Sequence, residues 1–173
     1  GYERLNDHLS TNEGPRHRLW RIRAKQIITA TGAIERPLSF PSNDIPGIML
    51  ASAVRDYATN FGVAVGDKVA IFTNNDDAYR TAITLHEIGI TVPVIIDARS
   101  GGGGELAHHA KELGIRVENG KAISKVFGQK RVKAVTICDY EKSGANKEKI
   151  ECDSIAMSGG WSPVVHLFSH CGG

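Results

Sequence analysis

The sequence contains no apolar run approaching the ~20 residues that a membrane helix requires, so a helical membrane span is excluded as a reading. It also lacks a Lys/Arg-rich block. Its 21 basic residues face 19 acidic ones for a net charge of +2, which gives no electrostatic support to a nucleic-acid or membrane-surface partner. The opening "GYERLNDHLSTNEGPRHRLW" lacks the apolar centre of a secretion signal. Cysteine is scarce: Cys138, Cys152 and Cys171 are odd in number and far apart, without CxxC spacing. A disulfide framework and a structural zinc site are therefore not expected. Free thiols in a reduced, cytoplasmic compartment are. There is no initiator methionine before Gly1, and "HLFSHCGG" supplies no closing element, so an internal piece of a larger chain is expected.

What is present is globular. Across 173 residues, 41% hydrophobic and 23% charged content suffice for a packed core. "RLWRIRAKQIITATG" (18–32) alternates and then becomes apolar at Ile27 and Ile28, which predicts two strands or a hairpin leading into a buried strand that stops at Gly32. "AIERPLSFPSNDIPG" (33–47), with three prolines, is a linker by composition. "LASAVRDYATNFG" (50–62) has helical spacing of apolar residues from Leu50 to Phe61, with Ser52, Asn43 or Asp44 available to start it and Gly62 to end it.

From Gly66 the pattern is β-α-β-α-β: "DKVAIFT", a helix over "DDAYRTAITLHEIG", "TVPVIIDAR", a helix over "ELAHHAKELG", then "IRVEN". Short strands alternating with helices predict a parallel sheet with right-handed crossovers. On the first of these helices Ala78, Ala82, Ile83, Leu85 and Ile88 are expected to face inward. Two alternating runs flank "GQKR" between 121 and 140, which predicts an antiparallel hairpin. "EKSGANKEK" (141–149) reads as a polar turn, and "IECDSIAMSGGWSP" (150–163) as an apolar strand ending in glycines. "AKQIITATGAIERP" and "ECDSIAMSGGWSP" echo each other, as two strands of one host domain would. The expected division is residues 1–44 in a host domain, an inserted Rossmann-like domain at 45–147, and a return to the host at 148–173.

The strand-to-helix turn "FTNNDDAYRTA" (72–82) has no glycine, although glycines there usually let a phosphate approach the helix N-terminus. Asn74 and Asn75 tolerate the turn. Asp76 and Asp77, as N-cap or first-turn carboxylates, would satisfy the helix N–H groups and oppose an anion. Thr73 and Asn74 remain able to bond a nucleotide edge or a neighbouring subunit. Asp97, at the end of the next strand, occupies the place of an acid that accepts from a ribose hydroxyl and favours NAD, with Arg99 nearby for a 2′-phosphate; a plain strand-end cap is the equal alternative. "SGGGGEL" (100–106) lacks the Lys-Ser/Thr of a phosphate loop and reads as a flexible loop. His166 and His170 lie four apart without carboxylates at useful spacing, so no metal site is expected, and no catalytic residue is nominated.

In combination, "ATGAIERPLSF", "DIPGIMLASAVRDY", "FTNNDDAYRTA", "IIDAR" and "SGGWSPVVHLFSH" resemble the α subunits of heterotetrameric sarcosine oxidases, within the two-dinucleotide-binding-domain flavoproteins. The resemblance runs from about Leu19 onward and corresponds to an internal segment. It implies oxidative demethylation of sarcosine to glycine with peroxide formation and one-carbon transfer to tetrahydrofolate. It also implies FAD/FMN chemistry in or beside another subunit, a bound NAD that does not turn over, and partner subunits in a hetero-oligomer. Related α subunits of amino-acid and opine dehydrogenases share the architecture. The expected cofactor-binding residues are Thr31, Gly32, Gly159, Gly160 and Trp161, with Thr73, Asn74, Asn75 and Asp97 in the inserted domain. Gly32 and the Gly159-Gly160 pair would let backbone pass close to the dinucleotide, with Trp161 against its ring or an interdomain seam. A rival expectation makes 45–147 a non-binding module that docks other subunits.

Overall fold

A computed structural model describes residues 1–4, 15–141, 144–170 and 172. Cys171 and part of the polar turn at 141–149 lie outside the described residues. The chain divides into two compact units: Gly1–Thr31 with Val165–Gly173, and Gly32–Val164.

In the smaller unit, β1 (Tyr2–Arg4) and β2 (His17–Leu19) form an antiparallel pair. Glu3 binds Arg18 and the indole N–H of Trp20 across it. A short helix, residues 166–170, lies near the end of the chain. The buried strand expected at 24–31 does not form: no strand among the described residues pairs with it, and Ile27 and Ile28 stand 74% and 92% exposed. Without a ladder partner, an extended apolar run gains neither hydrogen bonds nor burial.

The larger unit is built on a five-stranded, wholly parallel sheet in the order β4 (Ile48–Leu50), β11 (Ser154–Ser158), β5 (Val69–Thr73), β6 (Ile95–Asp97), β7 (Val117–Asn119). Three helices join its strands: α1 (Ala51–Phe61), α2 (Asp77–Glu87) and α3 (Gly104–Glu112). The opposite face is covered by an antiparallel sheet of β8 (Lys121–Gly128), β9 (Val132–Asp139) and β10 (Glu148–Glu151). The alternation of side chains along a strand explains both layers. From β5, Val69 and Ile71 pack among the helices with Val54, Ala82 and Leu85, whereas Ala70 and Phe72 pack towards the antiparallel sheet with Ile123, Val135 and Ile137. A strand buried on both faces reads as an unbroken apolar run, as "VAIF" does.

Helix α1 ends where expected, with Gly62 left-handed (φ 64°) and its N–H on the Tyr57 carbonyl. Its start differs from the expectation. No side chain of Ser52, Asn43 or Asp44 caps it; instead buried Glu35 accepts from the Ser52 N–H at 2.9 Å and the Ser52 hydroxyl at 2.6 Å. In α2, Ala78, Ala82, Ile83 and Leu85 are buried as expected, but Ile88 is the C-cap residue and half exposed, since the inward face has ended by then. The hairpin about residues 129–131 forms as expected.

Residues 150–163 are three pieces rather than one strand. Ile150 and Glu151 belong to β10 on the antiparallel sheet, Ser154–Ser158 crosses into the parallel sheet between β4 and β5, and β12 (Trp161–Pro163) pairs antiparallel with β3 (Ala33–Glu35). The compact unit is therefore wider than 45–147, because β11 is a central strand of its sheet. No helix among the described residues is long and apolar enough to cross a membrane.

Candidate functional site

Ligands of open parallel α/β sheets lie beyond the carboxyl ends of the strands, where the order reverses. Here that point falls between β5 and β11, for β6 and β7 extend on one side while β4 and β11 lie on the other. Thr73, Asn74 and Asn75 leave β5 there, beside Ser158 and Gly159 leaving β11. The structure thus brings the glycine-free turn and the start of "SGGW" together.

The turn is satisfied from within. The Thr73 hydroxyl, fully buried, donates to the Asn75 carbonyl at 2.9 Å and accepts from the Asn75 N–H at 3.0 Å. The Asn75 amide donates to the Ser158 carbonyl (3.1 Å) and hydroxyl (2.9 Å), and its oxygen accepts from the Asp77 N–H at 3.1 Å. Asn75, not Asp76 or Asp77, therefore closes the helix start. The Asp77 carboxylate turns instead to Arg55 at 3.4 Å and Arg80 at 3.8 Å. Asn74 and Asp76 are the exposed residues of the turn, and the Asn74 N–H donates to the Ser158 carbonyl at 3.3 Å.

Asp97 is fully buried at the end of β6. Its Oδ1 accepts from the Arg99 N–H (2.9 Å) and Nε (3.0 Å), and its Oδ2 accepts from the Tyr79 hydroxyl and Arg99 Nη2, each at 2.8 Å. Burial, then the bond to Asp97, pushes the Tyr79 phenol up, and the same carboxylate raises the Arg99 guanidinium. The "SGGGG" loop is no free loop. A Cβ on Gly102 would collide with the Asp97 carboxylate and the Arg99 side chain, and one on Gly103 with the Tyr79 ring and Ala107. The sequence did carry a signal for this: Asp97 and Arg99, at the end of an apolar strand, are followed after Ser100 by four glycines.

The β3–β12 ribbon holds the remaining candidates of this unit. Gly32 accepts from the Val164 N–H (3.0 Å), Gly160 from the Arg36 N–H (2.8 Å), and Arg36 from the Gly159 N–H (2.6 Å). Gly32 (φ 69°) and Gly160 (φ 90°) are left-handed; nothing lies within 4 Å of a Cβ built on Gly32, and only Arg36 Nη2, at 3.9 Å, near one on Gly160. Gly159 is small for another reason. A Cβ there would stand 2.7 Å from the Pro37 carbonyl oxygen, so its close neighbour is the chain's own backbone. Trp161 pairs with Glu35 and leaves 41% of its surface exposed. Thr31 is the last residue of the smaller unit's first segment. Sequence reasoning missed Glu35, whose Oε1 is buried with no hydrogen-bond partner among the described residues.

A fit for the pyrophosphate and ribose of NAD can be judged on these contacts. At β5 and β6 they do not fit, since the helix start and all four bonds to Asp97 are internal. At the ribbon the open flanks of Gly32 and Gly160 leave backbone that another group can approach.

No family model matches the chain. It is 39% identical over 173 residues to the sarcosine oxidase subunit alpha of Rhizobium meliloti (strain 1021), covering 99% of this chain and 17% of that protein. It is 38% identical over 174 residues to the subunit of the same name from Corynebacterium sp. (strain U-96), covering 96% of this chain and 18% of the relative. The chain thus matches an internal segment of sarcosine oxidase α subunits, spanning less than a fifth of their length. Among solved structures it resembles T. acidophilum thioredoxin reductase (TM-score 0.61, 15% identity, 78% of this chain and 43% of that one). It also resembles the L-proline dehydrogenase of P. horikoshii (TM-score 0.57, 21% identity, 83% of this chain and 23% of that one). These likenesses show the fold, an α/β Rossmann-like unit.

Proposed function

We propose that this chain is the dinucleotide-binding-type segment of a sarcosine-oxidase-like α subunit. It contributes to an NAD site through its paired connecting strands, not through the turn after β5. The observation that carries this reading is the β3–β12 ribbon, whose two hydrogen-bonded strands are each preceded by a left-handed, open-flanked glycine, Gly32 at one end and Gly160 at the other, with Trp161 beside Gly160. Gly32, Gly160 and Trp161, with Thr31 next in sequence, are the residues that would line the cofactor, the glycines by close backbone approach and Trp161 by its ring. NAD supplies a redox-active nicotinamide when bound; this chain's part is to hold it. Sarcosine demethylation to glycine, peroxide formation, the flavin and the tetrahydrofolate acceptor belong to the rest of the subunit and its partner subunits. The buried thiols of Cys138 and Cys152 are consistent with a reduced cytoplasmic setting.

Titration calorimetry of NAD⁺ into the full subunit tests this with Gly160→Val, Gly32→Val and Trp161→Ala, each checked by thermal melting. Affinity should fall about tenfold or more, the size of one lost ring contact. Undiminished affinity in all three would remove the ribbon from the site.

A second reading, that the unit docks neighbouring subunits and binds no nucleotide, draws support from the internally satisfied turn at 73–77. Saturable NAD⁺ binding by the 173-residue chain would rule it out.

A further inference from the structure

We infer that the pyrophosphate and ribose positions of this fold, at the start of α2 and the end of β6 beside the β5–β11 reversal, are latched shut by Arg99 and hold no dinucleotide. A dinucleotide would rest its pyrophosphate on that helix start and a ribose on the acid ending the next strand. Arg99 spans the two positions, with its guanidinium part-exposed between exposed Asp76 and buried Asp97. Its Nη2 donates to Asp76 Oδ1 at 2.7 Å and to Asp97 Oδ2 at 2.8 Å, and its Nε donates to Asp97 Oδ1 at 3.0 Å. The Gly103 N–H donates to the same Asp76 oxygen at 3.1 Å, which ties the loop after β6 to the head of α2 across the gap.

The layer beneath is equally full. The Tyr79 hydroxyl takes the last position on Asp97, while Gly102 and Gly103 lie so close to Asp97, Arg99 and Tyr79 that no Cβ fits. Asp76 therefore does not cap its own helix; it anchors a lid. A ribose hydroxyl would have to displace a guanidinium from a buried carboxylate, and a pyrophosphate would meet two carboxylates at the helix head. Both exchanges are unfavourable. The inference does not depend on NAD lying at the β3–β12 ribbon, and each is read from different amides.

The test is a titration of NAD⁺, and separately ATP, into the ¹⁵N-labelled 173-residue chain, with hydrogen exchange measured on Asp76→Ala. The amides of residues 74–77 and of Gly102 and Gly103 should not shift at millimolar nucleotide. In Asp76→Ala, exchange at the Gly103 N–H should rise by about tenfold or more while β5 keeps its protection. Shifts confined to residues 32–35, 161 and 162 would support both the closure and the ribbon. Saturable shifts at 74–77 or 102–103 would overturn the closure, and so would unchanged Gly103 exchange in Asp76→Ala. That variant removes only the exposed end of the latch, so it tests the closure even if Arg99→Ala fails to fold.

Discussion

At the residue scale, the most consequential group is the Asp97 carboxylate, buried and dependent on Arg99 for three of its four bonds. Two of these come from the side chain. Arg99→Ala should therefore cost about 3 kcal/mol in urea unfolding, at the lower end for a broken buried pair because the guanidinium is 36% exposed. Arg99→Lys should recover only part of that, since an ammonium cannot make the same fork. A loss under about 0.5 kcal/mol for Arg99→Ala would mean that the latch adds nothing to stability. A second residue-scale effect comes from Cys152, which burial, aided by nearby Asp153, pushes up from 9.0 to about 12. A group that holds its proton more tightly when folded stabilises fully below its unfolded pKa and loses that contribution as pH rises to the folded value. Stability should thus decline between pH 9 and about 12, with Tyr79 acting in the same direction. Urea midpoints across that range should fall less steeply in Cys152→Ala; identical slopes would contradict the assignment.

At the element scale, α1 and α2 both begin on side chains borrowed from elsewhere or from just outside the helix. Glu35 on β3 holds the head of α1 through Ser52, and Asn75 holds the head of α2 while its amide grips Ser158 on β11. Asn75→Ala should lose about 1–2 kcal/mol, the cost of a cap plus a cross-strand bond. Asn74→Ala, one residue away and exposed, should lose almost nothing. Equal losses by chemical denaturation would refute this division of roles.

The helices, the β5–β6–β7 run and the hairpin about 129–131 were legible because their periodicities are local. Caps from distant strands were not, because nothing in "LASAV" points to a glutamate some turns of chain away. The apolar run at Ile27 and Ile28 that predicted a buried strand ending at Gly32 was present, but a strand exists only with a neighbour to bond. The candidate residues divide the same way: the place of Asp97 at the end of β6 was legible, whereas its partner Arg99 showed only as a second possible ligand contact.

At the scale of the whole molecule, the larger unit is three layers about one parallel sheet, and β11 is its seam. The strand arrives last in the chain yet lies between β4 and β5, so that the sheet completes only when the chain has returned. Strand order is non-local, and this is why nothing within 154–158 marked it as a central strand of this sheet. Hydrogen exchange should be slowest in β5 and β11, whose residues are buried throughout, and fast in 21–31, where Ile27 and Ile28 are exposed and no ladder forms. Fast exchange in β11 would show that the seam opens independently of the rest.

The central claim is that the dinucleotide is held by the connecting ribbon and not by the crevice that the fold provides. Hydrogen exchange of the full subunit with and without NAD⁺ tests it most directly. Protection should increase over residues 30–36 and 159–163 and stay unchanged over 73–77 and 97–103. Protection gained at 73–77 and 97–103, with none at the ribbon, would contradict it.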